Sequence, residues 1–440
     1  MKEIFKHIIM YILQAESRLV LWRYKPKVVA ITGSVGKTST KDAVYSALSG
    51  MTHVRKSEKS YNSEFGLPLT ILGMPTGWSN PFLWIANVAK GLWLFLWPHR
   101  YPKWLVLEAG VGKPGDMKRT AGWIKTDAVI VTAIGETPVH IEFFESRKHL
   151  IEEKSGLIKT LKPDGVLILN ADDEAVLSMK EKTKCRVKTY GFGDKAELKG
   201  SGENIYYDES GVPRGTLFRV DEEGTSLPVV IEGVFGSNHV YAAMATLALA
   251  SALGLNMIET ADALKKYDLP PGRMRLLRGI NGSLIIDDTY NSSPFACKAS
   301  LETLGQVKTS GRRIAVLGDM LELGKHTEDE HRKIGEIARE NANVLLVVGQ
   351  RAEKIKEGAL SAGMQAGAIE QFPNSYSAGD FLKTFVQPGD LVLIKGSQGM
   401  RMERAVAAIL DESTGSDGNG GKQDRKKLLV RQDKEWLRKK

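Results

Sequence analysis

The sequence predicts an α/β protein: a phosphate-loop domain built on a parallel sheet, followed by a second, smaller α/β domain. Three observations carry this. An apolar run of strand length ends in a glycine turn, a lysine and a hydroxyl residue at 28–39. Further strand-length apolar runs alternate with helix-length amphipathic stretches, the pattern of repeated βα units. Pro270-Pro271-Gly272 then interrupts the alternation, which begins again behind it.

Residues 1–26 open the chain. Ile4, Phe5, Ile8, Ile9, Ile12, Leu13, Leu19, Val20 and Trp22 are interrupted by Lys6, His7, Gln14, Glu16 and Arg18, too often for a bilayer span. No convincing small-residue cleavage site follows, so an amphipathic helix is expected to remain, either packed on the body or lying on a membrane. The central domain is expected over 27–270 and starts with the buried-strand run Val28–Ile31. That run ends in Thr32-Gly33-Ser34-Val35-Gly36-Lys37-Thr38-Ser39, and Ala43, Val44, Ala47 and Leu48 follow at helical spacing. Strand, glycine turn, lysine, hydroxyl and helix together hold a polyphosphate. Backbone N–H groups and the helix N-terminus face the anion, lysine reaches the terminal phosphates, and the hydroxyl ligates Mg²⁺. The general pattern has a glycine five positions before Gly36, where Ile31 stands, so an ordinary turn and helix start is the alternative.

Five of the eight tryptophans (Trp78, Trp84, Trp93, Trp97 and Trp104) crowd into and beside an insertion at 74–103. Asn87, Lys90 and Pro98 argue against a span. A local core or substrate-side insertion is expected, with an interfacial hairpin as the alternative. Strands follow at Trp104–Leu107 and Ala128–Thr132, a helix over 145–160, and a strand at Val166–Leu169. Residues 197–232 suggest a small antiparallel patch, and the alanine-rich stretch Ser237–Leu253 a helix. The second domain, 271–411, is expected to hold strands at Leu284–Ile286, Ile314–Leu317, Val344–Val348 and Leu391–Ile394. Helices should follow Pro294 and cover 329–340 and 399–410. From 412 to 440 the composition turns to Ser, Gly, Asp and Asn and then to a Lys/Arg run, so a disordered basic tail is expected.

The net charge of +9 is concentrated at the ends. Residues 1–30 carry six basic and two acidic side chains, and residues 412–440 nine and five. The near-neutral body argues against a nucleic-acid-binding face. The ends are either simply solvated or make contact with an anionic membrane surface. Cys185 and Cys297 are the only cysteines and lack metal spacing, which suits a reducing cytoplasm.

Three groups gain meaning beside the phosphate loop. Glu108 ends a strand, where a carboxylate can reach a metal held by Thr38; His140 follows another strand; Lys154 lies one helix further on. Taken singly they read as a loop acid, a structural histidine and a solvated helix lysine. With these residues the chain resembles the Mur ligases, ATP-dependent amide-forming enzymes of peptidoglycan precursor synthesis. Within them it is similar to the branch that adds D-alanyl-D-alanine to a muramoyl-tripeptide. The stretches that carry the resemblance are the phosphate loop, Asn62 to Pro68, Leu107-Glu108-Ala109-Gly110, His140-Ile141-Glu142, Lys154 and Asn170-Ala171-Asp172-Asp173. Pro271-Gly272-Arg273-Met274, Asp287 to Pro294, Leu317 to Gly324 and Lys395-Gly396-Ser397 continue the series.

The resemblance implies a Rossmann-like second domain and a reaction in which ATP phosphorylates a substrate carboxylate before an amine displaces phosphate. Gly33, Ser34, Val35, Gly36, Lys37, Thr38 and Ser39 would bind the phosphates, with Asn170 and Arg273 as further nucleotide contacts and Asp287 as a ribose contact. Thr38 and Glu108 would hold one Mg²⁺ and His140 would help hold a second. Lys154 would be carbamylated and supply a metal ligand. Asn62 would lie on the substrate side; Asn291, Asp319, Glu322, Lys395 and Ser397 would face the amine. A cytoplasmic monomer acting on a UDP-muramoyl-tripeptide is expected. Such ligases usually carry a separate UDP-sugar-binding domain ahead of the phosphate loop, and here only 32 residues precede Gly33. That domain is expected to be missing or replaced. The alternatives are a Mur-type ligase joining a different acid and amine, and a nucleotide-binding module that makes no amide.

Overall fold

A computed structural model describes residues 2–58, 61, 63–77, 80–136, 138, 141–265, 267, 270–411, 428–432 and 436. Asn62, Trp78 and His140 lie outside this set.

The first half of the chain builds one sheet from nine strands: β1 Lys27–Thr32, β2 Val54–Lys56, β3 Trp104–Glu108, β4 Thr126–Val131, β5 Leu161–Asn170, β6 Arg186–Gly191, β7 Leu198–Tyr207, β8 Pro213–Glu222 and β9 Thr225–Glu232. Their order is β2-β3-β1-β4-β5-β6-β7-β8-β9. Pairing is parallel from β2 through β7 and antiparallel from β7 through β9, as the turn-rich stretch 197–232 predicts. Among the described residues nine α-helices belong to this half: α1 Lys2–Tyr24, α2 Lys37–Ser49, α3 Gly66–Leu72, α4 Pro81–Leu96, α5 Asp116–Ala121, α6 Arg147–Ser155, α7 Glu174–Leu177, α8 Ser237–Ala252 and α9 Met257–Lys265. Because side chains alternate along a strand, the two faces of the sheet carry different cores. Val29 and Ile31 pack with α2, α8 and α9, whereas Val28 and Ala30 pack with α1 and α3. Ile31 is fully buried beside the phosphate loop, and truncating it to alanine would cost about 2–5 kcal/mol.

The second unit has six strands: β10 Arg275–Arg278, β11 Leu284–Asp288, β12 Arg313–Gly318, β13 Val344–Val348, β14 Ile369–Phe372 and β15 Leu391–Lys395, in the order β10-β11-β15-β12-β13-β14. All neighbours pair in parallel except β10 with β11. Helices α10 Pro294–Gln306, α11 Thr327–Asn341 and α12 Glu353–Ser361 cover one face; α13 Ser375–Phe385 and α14 Glu403–Ile409 cover the other. Apolar runs do not reveal β2, β6, β10 and β14, because Arg55, Lys56, Arg186, Lys188, Arg275, Arg278 and Glu370 break their pattern. Ladder pairing to a neighbouring strand makes them strands.

Two expectations are corrected and one alternative is set aside. The helix expected over 145–160 ends at Ser155 and tightens into a 3₁₀ turn through Thr160. Segment 74–103 does not form the alternative hairpin: its described residues hold one helix, α4, which lies on α1 and packs Trp84, Val88, Leu94 and Phe95 against the core beside the buried Met74 and Tyr101, while Phe82 stands exposed. The tail is not simply disordered, since its described residues Leu429, Val430 and Arg431 are packed against the second unit. They owe this to contacts with distant residues, a signal that composition does not carry.

Candidate active site

The site forms where strands of both sheets end. β1 stops at Thr32 and the chain turns through Gly33, with φ +142°, and Gly36, with φ +85°. A Cβ on Gly33 would stand 2.0 Å from the Thr132 hydroxyl at the end of β4, so only glycine fits there. The N–H groups of Ser34 and Val35 donate to the Ala133 carbonyl at 2.7 and 3.1 Å and pin the loop to β4. Helix α2 then begins with no side-chain cap and no acidic residue in its first turn. Its end N–H groups and positive dipole are therefore available to an anion.

Thr38, the second residue of α2, donates its hydroxyl to Glu108 Oε2 at 2.9 Å and accepts from Arg273 Nη2 at 2.9 Å. Parallel pairing sets Ile31 opposite Glu108 and so brings this carboxylate to the loop. Lys37 lines the same cavity and donates to the Ser34 carbonyl at 3.3 Å. Burial lowers its pKa; Glu108 opposes that shift and Arg273 adds to it. Lys154, on α6, is 2% exposed and donates to the Gly33 carbonyl at 3.1 Å. Burial, reinforced by the charge of Lys37, holds its ammonium well below the usual range.

Arg273 enters from the second unit, its guanidinium 4.1 Å from the centre of the Tyr290 ring. Its carbonyl bonds to His239 Nε2 at 2.8 Å, which puts the imidazole proton on that nitrogen. Burial pushes the His239 pKa down to about 4. Behind Tyr290, Arg431 donates to the carbonyls of Thr289 and Tyr290 at 3.2 and 2.5 Å and pairs with Glu403 at 2.9 Å.

Two cavities share Val35, Gly36 and Asn238. The larger, about 850 Å³, is lined by Asn170, Asp172, Tyr190 and Tyr241 from the first unit and by Pro294, Phe295 and Lys298 from the second. The smaller, about 320 Å³, is lined by the loop from Ser34 to Ser39, Glu108, Arg273, Asn291, Glu322, Lys395 and Ser397. Lys395 is 2% exposed, pairs with Asp288 at 2.6 Å and donates to the Asn291 carbonyl at 2.9 Å. Ser397 Oγ accepts the Leu321 N–H at 2.8 Å.

Most of the expected residues thus gather around one cleft, but two stand apart from it. Asp287 is wholly buried, accepts the Thr289 N–H and hydroxyl at 3.2 and 2.6 Å, and lines neither cavity. Burial pushes its pKa up to about 6. Its role as a ribose contact is corrected: the side chain braces the turn after β11, and its neighbour Asp288 faces the cavity instead. Asp319 likewise lines neither cavity and accepts the Ala352 N–H at 2.8 Å; its carbonyl accepts from Ser397 at 3.1 Å. It positions the loop that bears Ser397 and does not face the amine. Asn62 and His140 lie outside the described residues. Sequence reasoning assigned no role to Tyr290, Asp288, His239 or Asn238, although all four stand in motif stretches of the sequence.

The Thr38 hydroxyl beside the Glu108 carboxylate suits Mg²⁺, which prefers one or two protein oxygens plus phosphate and water. Phosphate oxygens of a bound nucleotide would complete such a shell.

A glycine loop over an open helix start, faced by a second α/β unit, defines a phosphate-loop protein with its ligand cleft between two units. Residues 31–84 and 87–250 match the Mur ligase middle domain, and residues 272–398 the glutamate ligase domain of Mur ligases. The chain belongs to the Mur ligase family. It is 29% identical over 402 residues to the UDP-N-acetylmuramoyl-tripeptide–D-alanyl-D-alanine ligase of Bacillus subtilis (strain 168), covering 91% of this chain and 79% of that protein. It is 30% identical over 406 residues to the enzyme of the same name from Mycobacterium leprae (strain TN), covering 87% and 73%. Among solved structures, the MurF ligase of Thermotoga maritima in complex with ADP superposes with a TM-score of 0.74 at 25% identity, covering 91% of this chain and 83% of that one.

Proposed function

We propose that this chain is an ATP-dependent amide ligase that joins D-alanyl-D-alanine to a UDP-N-acetylmuramoyl-tripeptide and releases ADP and phosphate. The observation that carries the reading is the Thr38 hydroxyl, held between Glu108 of the first unit and Arg273 of the second. That bridge gives both units a part in holding one triphosphate. The names of the relatives in Bacillus subtilis and Mycobacterium leprae support the choice of substrates.

In this reading the tripeptide carboxylate attacks the γ-phosphorus of ATP, ADP leaves, and an acyl phosphate forms. The amine of D-alanyl-D-alanine then attacks the acyl carbon, phosphate departs with the bonding pair, and the amine proton is lost to solvent. Lys37 neutralises charge on the transferring phosphoryl group, and the uncapped start of α2 binds the phosphates. Bound Mg²⁺ would neutralise the β- and γ-phosphates, with Thr38 and Glu108 as protein ligands and His140 assigned to a second ion. Lys154, whose lowered pKa favours the free amine, would add to CO₂ and lose a proton, becoming an anionic carbamate. Asn170 and Arg273 contact the nucleotide, while Asn291, Glu322, Lys395 and Ser397 line the side that receives the amine. Closure over the cleft excludes water that would hydrolyse the acyl phosphate. The protein works as a monomer on the cytoplasmic side, with the inner membrane face within reach.

Purified protein with ATP, Mg²⁺, D-alanyl-D-alanine and a UDP-muramoyl-tripeptide tests the reading by mass analysis of the product. The expected result is the pentapeptide nucleotide, with one ADP per amide. ADP release that does not depend on the dipeptide, or product only with another amine, would overturn it.

A further inference from the structure

We infer that α1 and α4 together form a docking face for an anionic lipid bilayer, seated at headgroup depth and not across it. Helix α1 is apolar on two sides. Ile9, Leu13 and Val20 are buried against the sheet, while Ile8, Tyr11, Ile12, Leu19 and Trp22 point outward, Trp22 at 70% exposure. Helix α4 is apolar on two sides as well: Trp84, Val88, Leu94 and Phe95 pack inward against the core, with Asn87 and Gly91 buried among them. Its outward residues Phe82, Ile85, Trp93 and Leu96 are 79%, 58%, 51% and 58% exposed. These positions recur at helical spacing, so the outward stripe is continuous and apolar.

The helix is held in place by contacts. Asn87 donates to the Pro75 carbonyl at 2.8 Å, Asn80 caps the helix, and Tyr24 of α1 donates to the Leu94 carbonyl at 2.9 Å. A Cβ on Gly91 would stand 2.1 Å from Glu16 Oε2, so a larger residue there would displace the Glu16 side chain from its place between α1 and α4.

Charge selects the occupant. Residues 1–27 and 80–104 hold nine lysines and arginines against Glu3 and Glu16, and Glu16 is only 3% exposed. Outward aromatic and aliphatic side chains with a basic fringe match the interface of a membrane that carries negative headgroups. No described helix is long and apolar enough to cross one. The 16 residues of α4 span about 24 Å, short of the roughly 30 Å hydrocarbon core.

Full-length protein is sedimented with vesicles of phosphatidylcholine plus phosphatidylglycerol, and with vesicles of phosphatidylcholine alone. Strong binding to the first and at least about tenfold weaker binding to the second are expected. Brominated lipid should quench tryptophan fluorescence of the unmodified protein. A Phe82→Ser/Ile85→Ser/Leu96→Ser variant should lose binding by tenfold or more while keeping its thermal midpoint and its turnover in solution. Absence of binding or quenching, or equal binding by the variant, overturns the inference. So does a dimer in sedimentation velocity that the same substitutions dissolve while no vesicle binds. The assay needs no nucleotide, so its failure would leave the ligase reading standing.

Discussion

In the nucleotide cleft, cations are gathered where water is scarce: Lys154 is 2% exposed and its pKa is lowered by burial and by Lys37. On the α1–α4 face the reverse holds, with Phe82 and Trp22 in water and Asn87 inside. Each region departs from the usual sorting of polar and apolar groups, and each is stable only because the rest of the fold fixes it. The lesson is that such departures point outward, to an anion in one case and to an apolar medium in the other.

The sharpest test of the cleft is Lys37→Ala. Removing the cation at the transferring phosphate should lower turnover by at least about 10³-fold, read as dipeptide-dependent ADP release. Lys154→Ala should lower it by about 10²- to 10³-fold and be partly rescued by short carboxylates, which can occupy the place of a carbamate; unchanged turnover would sink the carbamate assignment. Arg431→Ala, which frees the Tyr290 platform beneath Arg273, should raise the KM for ATP by roughly three- to tenfold while kcat changes less. A value within error of the parent would make the packed tail a passive appendage.

The smallest effect probes the other region. Burial raises Glu16 to about 7, and neither carboxylate oxygen has a hydrogen-bond partner among the described residues. Native protein therefore keeps the proton where unfolded chain loses it, so Glu16 costs stability as pH rises from about 4.5 through 7. Glu16→Gln should raise the thermal midpoint by about 2 °C at pH 8 and leave it unchanged at pH 4, as differential scanning calorimetry would show. A gain at both pH values would trace the effect to packing and not to charge.

Local chemistry made much of the site readable. The turn from Gly33 to Thr38 is contiguous, its glycines and lysine have one joint use, and the structure places Lys37, Thr38, Glu108, Arg273 and Lys154 together. Strand facing was not readable. Asp287 and Asp288 are adjacent acids, and pairing of β11 with β15 puts Asp288 opposite Lys395 while Asp287 turns into the core. Asp319 was misread for a similar reason: its carboxylate is taken by the Ala352 N–H, 33 residues away.

The amino-acid order alone determined the α/β alternation, the glycine loop and the helical character of 1–26, because hydrophobic period and backbone freedom act over a few residues. Only the tertiary structure decided that Arg273 reaches Thr38, that Asp288 and not Asp287 faces the cavity, and that α4 lies on α1 with a second apolar side left outward. Those outcomes depend on strand register and on contacts between distant segments, which no local pattern records.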